Sequence, residues 1–181
     1  YPGSGVGGPC LPINSYQLLN TARRTNSNLS IIESGRKINE KMPEHVIKLT
    51  LDAFQECNQN IKESTILILG ISYKPNVKDI QLTPAEIIIK KLQELGVNVC
   101  IYDPYFKDVD VFGIKSEKNI DNLFANVDAA IIVTGHDEFK QLQISKFNQM
   151  NNKILIDTRG IIEPISAKNA NLIFRGLGRG Q

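Results

Sequence analysis

One thiol in this sequence stands where it could act as a nucleophile. Cys10 closes the run PGSGVGGPC, behind Gly3, Gly5, Gly7 and Gly8 and just ahead of a helical pattern. Helix N-termini and free backbone N–H groups favour a thiolate, the nucleophilic and metal-binding form of cysteine. Gly3, Gly5 and Gly8 also satisfy G-x-G-x-x-G, the spacing that wraps a dinucleotide pyrophosphate. That fingerprint requires a strand leading into the first glycine and a helix starting right behind the last. Only Tyr1 and Pro2 come before it here, and Pro9 and Pro12 oppose a helix directly behind Gly8. No Gly-Lys-Ser or Gly-Lys-Thr follows, which excludes a Walker-type phosphate loop. Two readings stay open for the loop: backbone that approaches a ligand closely, or a flexible glycine-rich end.

Two cations share a second kind of position. Lys74 follows the apolar run TILILG (65–70) and a turn, is held by Pro75, and has Asp79 in the same loop. A lysine at a strand's carboxyl end suits a phosphate or a sugar oxyanion, and a helix beginning near Thr83 would add its dipole. Taken alone, a lysine in such a position is more often an ordinary surface residue. Arg159, in DTRG, could pair with a phosphate or with Asp157. His136 and Asp137 read as loop-capping residues without assigned chemistry. Cys57 at a helix end and Cys100 inside a strand read as inert.

The elements that must hold these residues change character along the chain. Asn14 with Gln17 predicts an N-cap and its capping partner, opening a helix through Leu18, Leu19 and Ala22 that NSN (26–28) interrupts. From about Leu29 to Cys57 apolar residues recur at helical spacing, with Pro43 expected to bend or restart the helix. That stripe is longer than one small core needs. It predicts either a solvated connector or burial against a partner helix, with self-association the simplest source of one.

Beyond it, TILILG, VNVCIYDP, DAAIIVTG, KILIDTRG and NLIFRGLG read as strands, with GIKS a short extra one. TPAEIIIKKLQELG, NIDNLFANV and EFKQLQISKF read as helices. Alternation of this kind predicts an α/β fold: an N-terminal helical segment, then a Rossmann-like, doubly wound, mostly parallel sheet. Ligands of such sheets sit beyond the carboxyl ends of the strands, here GISYKP, YDP, TGHDEF and DTRG.

Composition narrows the class of partner. The chain has 181 residues, 41% hydrophobic and 22% charged, with a formal net charge of +2, which gives no reason to expect nucleic acid. No apolar run is long enough for a membrane span, and no signal-peptide pattern is present. Three widely spaced cysteines suit a reducing, cytoplasmic setting, and two histidines without C-x-x-C predict no metal site. A chain beginning Tyr-Pro-Gly reads as a piece of a longer protein.

PGSGVGGPCLPINSYQL, LGISYKPNVKDIQLTPA, IYDP, GHDEFK and IDTRGI follow one another as they do in the UDP-glucose/GDP-mannose dehydrogenase family. The chain resembles the C-terminal part of such an enzyme over essentially its whole length. The resemblance implies a cysteine loop and central dimerisation helices over residues 1–60, and a nucleotide-sugar-binding domain over 61–181. It implies that Gly5, Gly7 and Gly8 cover a UDP-sugar, and that Cys10 captures a sugar aldehyde on the way to a thioester. Tyr73 and Lys74 match the family's Tyr/Phe-Lys pair on the nucleotide sugar, and Arg159 matches the arginine of its D-x-R segment. NAD would be the cofactor, held mainly by an N-terminal domain outside this sequence, so the segment alone should be inactive. A homodimer is implied, and GVGGPCLP points towards an N-acetylhexosamine substrate. Two positions depart from the pattern. Asn14 stands where many relatives carry a water-activating Asp, and Gln81 where an arginine is usual. A non-catalytic nucleotide-sugar-binding and dimerisation module is the competing expectation.

Overall fold

The computed structural model describes residues 3–121 and 123–179. Tyr1 and Pro2, which precede the glycine loop, and Asn122, inside the expected helix NIDNLFANV, lie outside the described residues. Two helices come first, α1 (Leu11–Arg24) and α2 (Ser30–Glu56), then β1 (Thr65–Leu69), α3 (Pro84–Glu94) and β2 (Asn98–Tyr102). A small hairpin, β3 (Asp110–Val111) and β4 (Ile114–Lys115), leads to β5 (Ala129–Ile132), α4 (Asp137–Lys140), β6 (Ile154–Asp157), α5 (Pro164–Asn169) and β7 (Ile173–Gly176).

Five strands form a parallel sheet in the order β2-β1-β5-β6-β7. Its central strands are apolar on both sides because both faces are covered. Ile66 and Ile68 of β1 pack in a cluster with Val46, Phe54, Ile88 and Leu92 from α2 and α3. Leu67 and Leu69, one residue out of phase, join Phe124, Phe139 and Phe147 on the other face. The chain runs from β1 outward to β2 and then returns to the other side of β1 with β5. A doubly wound sheet therefore has its switch point between β1 and β5, with the loops after those strands flanking it.

Several local expectations shift. The helical pattern of α2 continues through Pro43 without a restart. Pro43 has no N–H for the carbonyl of Asn39, and that oxygen faces Gly5 of the cysteine loop. EFKQLQISKF is not one helix but the short α4 followed by a 3-10 helix at Ile144–Gln149. Phe147 and Met150 are buried at three-residue spacing, the period at which a 3-10 helix aims one row of side chains inward. Of NIDNLFANV, a 3-10 helix is described at Phe124–Asn126. GIKS pairs with β3 in a separate two-stranded sheet, and α5 forms where no helix is expected from the sequence.

Candidate functional site

The glycine loop is not free. The Gly8 N–H donates to the carbonyl of Gln81 at 2.8 Å, and the Val6 N–H donates to Asn39 Oδ1 at 2.8 Å. A β-carbon on Gly8 would lie 2.7 Å from the Tyr73 ring, one on Gly7 2.5 Å from the Leu82 carbonyl oxygen, and one on Gly3 2.5 Å from Arg159 Nη1. Gly8 also has φ +91°, a conformation that L side chains rarely adopt. One short loop thus touches both Tyr73 and Arg159, which lie in loops after β1 and β6. A cavity of about 290 Å³ lies between this loop, α2 and Arg159.

Because its glycines abut protein atoms, this loop does not fit a dinucleotide pyrophosphate. NAD has no cradle at this loop. Glycines that let backbone approach a ligand and glycines that let backbone approach another loop carry the same sequence signature.

Cys10 follows two residues behind Gly8, exposed and unpaired in any disulfide. It is itself the N-cap of α1, which corrects the expectation that Asn14 caps the helix. Pro12 falls within the first turn, where its missing N–H costs no intrahelical bond, so it does not delay the start. Asn14 sits inside that turn, exposed, its N–H donated to the Cys10 carbonyl at 2.8 Å. Cys57 and Cys100 are half-buried, and burial pushes both thiols up, with Glu56 and Glu117 adding to the rise.

At the switch point, Lys74 is exposed, its ammonium 5.8 Å from the centre of the Tyr73 ring. Among the described residues neither Lys74 nor the Arg159 guanidinium takes part in an ion pair. Asp157 is no partner for that guanidinium. Its oxygens accept the backbone N–H groups of Arg159, Gly160 and Ile162, each at 2.8 Å, and so shape the DTRG turn. Thr83 caps α3 by accepting the Ala85 N–H, and that helix end points its first turn at Gly5 through Pro84.

Two buried side chains went unnoticed as a unit in the sequence. Asp103 and His136 have no exposed surface, and His136 Nε2 lies 3.1 Å from Asp103 Oδ2. Burial pushes the Asp103 carboxyl up, but hydrogen bonds from His136 and from the Ile71 and Tyr105 N–H groups outweigh it and hold the group below the ordinary carboxylate value. His136 stands at the N-cap position of α4 without capping it. Asp137 is held by Lys140 and Asn76. Their strands and loops were legible, but a pairing across 33 residues has no local signal.

Residues 67–164 match the UDP-binding domain of the UDP-glucose/GDP-mannose dehydrogenase family, and residues 1–41 match its central domain. The chain is 34% identical over 181 residues to a UDP-N-acetyl-D-mannosamine dehydrogenase from Pyrococcus horikoshii, covering 99% of this chain and 40% of that protein. It is 30% identical to a UDP-glucose 6-dehydrogenase from Bacillus subtilis, covering 98% of this chain and 39% of the relative. The crystal structure of an NDP-N-acetyl-D-galactosaminuronic acid dehydrogenase from Methanosarcina mazei superposes with a TM-score of 0.90 at 27% identity, over 99% of this chain and 40% of that one. The chain belongs to the UDP-glucose/GDP-mannose dehydrogenase family. It spans about 40% of the length of these relatives.

Proposed function

We propose that the chain is the substrate-binding and cysteine-bearing part of an NAD-dependent nucleotide-sugar 6-dehydrogenase. Residues 1–60 carry the cysteine loop and helices, and residues 61–181 bind the UDP-sugar. The observation that carries this reading is the docking of the Cys10 loop onto Tyr73 and Arg159, which joins the only exposed thiol among the described residues to the loops of the switch point. Relatives named for UDP-N-acetyl-D-mannosamine and UDP-glucose support a UDP-hexose or UDP-N-acetylhexosamine as substrate.

In this reading Lys74 and Arg159 meet the diphosphate, and the loop of Gly5, Gly7 and Gly8 covers the sugar. The Cys10 thiolate adds to the carbonyl carbon of the 6-aldehyde to give a thiohemiacetal, loss of a hydride from that carbon gives a thioester, and water then hydrolyses the thioester to the carboxylate and the free thiol. NAD, held mainly by parts of the whole protein outside residues 1–181, would supply the hydride acceptor when bound. Covalent capture keeps a reactive aldehyde from escaping between the two oxidations. The protein works in the cytoplasm, where such a thiol stays reduced, and self-associates as a homodimer.

The test is Cys10→Ser in the intact protein. Formation of the sugar carboxylate and of two equivalents of NADH should be lost while UDP-sugar binding persists, and Cys57→Ser and Cys100→Ser should be nearly silent. Wild-type turnover by the Cys10→Ser protein would refute the nucleophile. Asn14, an amide that cannot take a proton, favours a second reading as a non-catalytic binding module. An intact wild-type protein that binds UDP-sugars and never reduces NAD would establish it.

A further inference from the structure

The loop that leaves the carboxyl end of β1 is held at two points, one on each side of Tyr73 and Lys74. Ahead of them, the Ile71 and Ser72 N–H groups donate to Asp103 Oδ2 at 2.8 and 3.1 Å, and the Ser72 hydroxyl lies 3.2 Å from the same oxygen. Behind them, the Asn76 N–H donates to His136 Nδ1 at 3.0 Å. The two holding side chains bond each other through His136 Nε2 and Asp103 Oδ2. Only Tyr73, Lys74 and Pro75 lie between the anchors.

The donor inventory fixes the form of the imidazole. Asn76 brings a hydrogen to Nδ1, so that nitrogen carries a lone pair. The ring proton is therefore on Nε2 and is donated to Asp103. His136 is packed between the Tyr105 and Phe139 rings, with centroids 5.3 and 5.4 Å away, which fixes the ring plane. Asn76 has φ +60° and exchanges hydrogen bonds with Asp137, so it too is held.

We propose that His136 and Asp103 are positioning residues for nucleotide-sugar binding: a buried pair that clamps both flanks of the Tyr73–Lys74 segment and presents the Lys74 ammonium to a diphosphate already in place. This rests on the proposed substrate-binding role of that loop. A lysine on a loop ordered beforehand loses less conformational freedom when the ligand arrives, and the clamp acts on affinity through that term. Tyr73 also supports Gly8, so the same clamp steadies the seat of the cysteine loop.

The test uses UDP calorimetry on the intact protein with three substitutions. His136→Phe removes both contacts and should weaken UDP roughly tenfold, about the loss of one net hydrogen bond. His136→Asn keeps an amide oxygen near the Nδ1 position and should recover most of that affinity. His136→Gln keeps an N–H near the Nε2 position and should not. Equal affinities for the Asn and Gln proteins would overturn the clamp. Should the Phe protein fail to fold, the Asn and Gln pair still decides the matter. Nitrogen-15 NMR of histidine-labelled wild type, with His136 assigned by difference from His136→Gln, should show Nδ1 without a proton, and a protonated Nδ1 refutes the assignment. Lys74→Ala is the control. If it leaves UDP affinity unchanged, the substrate-binding reading of the loop fails; if it weakens UDP while His136→Phe binds like wild type, only the clamp fails.

Discussion

Asp103 shows how a single side chain is forced into its charge state by its neighbours. A carboxylate with no exposed surface is costly unless its lone pairs are filled, and here backbone N–H groups from two loops and the His136 ring fill them. Its folded-state affinity for protons is lowered from the ordinary value of 3.8. A group depressed in this way stabilises the fold above its unfolded value, and the contribution disappears as pH falls through the folded one. Asp103→Asn should therefore be less stable than wild type in urea at pH 7, with the difference closing below about pH 4. A difference that stays constant down to pH 2 would show that the carboxylate's charge is not what matters. Cys57 and Cys100 illustrate the opposite case, since burial raises both thiols and disfavours the thiolate.

Glycine has opposite consequences in two elements of this chain. Gly8 has φ +91° and sits against the Tyr73 ring, so a methyl group there is both strained and obstructed. Gly35 lies exposed in the body of α2 with nothing within 4 Å of an added β-carbon, so within a single chain glycine there only adds backbone freedom to the unfolded state. Gly35→Ala should raise stability by about 0.5–1 kcal/mol. Gly8→Ala should instead detach the cysteine loop from the loop after β1, seen as faster proteolytic cleavage near Cys10 with the sheet intact by circular dichroism. Matching signs for the two substitutions would contradict this account. Short elements follow a similar logic: the residues after α4 adopt a 3-10 helix because three-residue spacing is what the sheet face accepts.

The apolar stripe of α2 is divided between two uses at the scale of the whole molecule. Its second half is consumed by the sheet, where Val46, Ile47, Ala53 and Phe54 are buried. Its first half leaves Ile31 87% and Ile38 63% exposed. With a helix about 40 Å long, that half extends the apolar surface beyond what the sheet covers, and the proposed dimer would use it. Sedimentation at micromolar concentration should show a dimer that Ile31→Glu with Ile38→Glu shifts towards monomer. A wild-type protein that sediments only as monomer, with its helices intact, counts decisively against self-association. Among the described residues no helix is long and apolar enough to cross a membrane.

Strand and helix alternation, the parallel sheet and the family were legible in the sequence, because apolar periodicity and capping residues act over a few neighbours at a time. TILIL and PAEIIIKKLQE became β1 and α3 almost residue for residue, and Thr83 capped its helix as its type suggests. What faces the glycines was decided only by the tertiary structure. G-x-G-x-x-G records where the backbone needs room, and the occupant of that room, a Tyr73 ring or an Arg159 guanidinium, comes from loops far along the chain. The start of α1 directly behind Cys10 likewise depended on the first turn tolerating Pro12. Asp103 and His136 make the point most plainly. Each alone looks like a turn residue, and their role comes from hydrogen bonds across 31 to 60 residues that exist only once β1, β2 and β5 lie side by side.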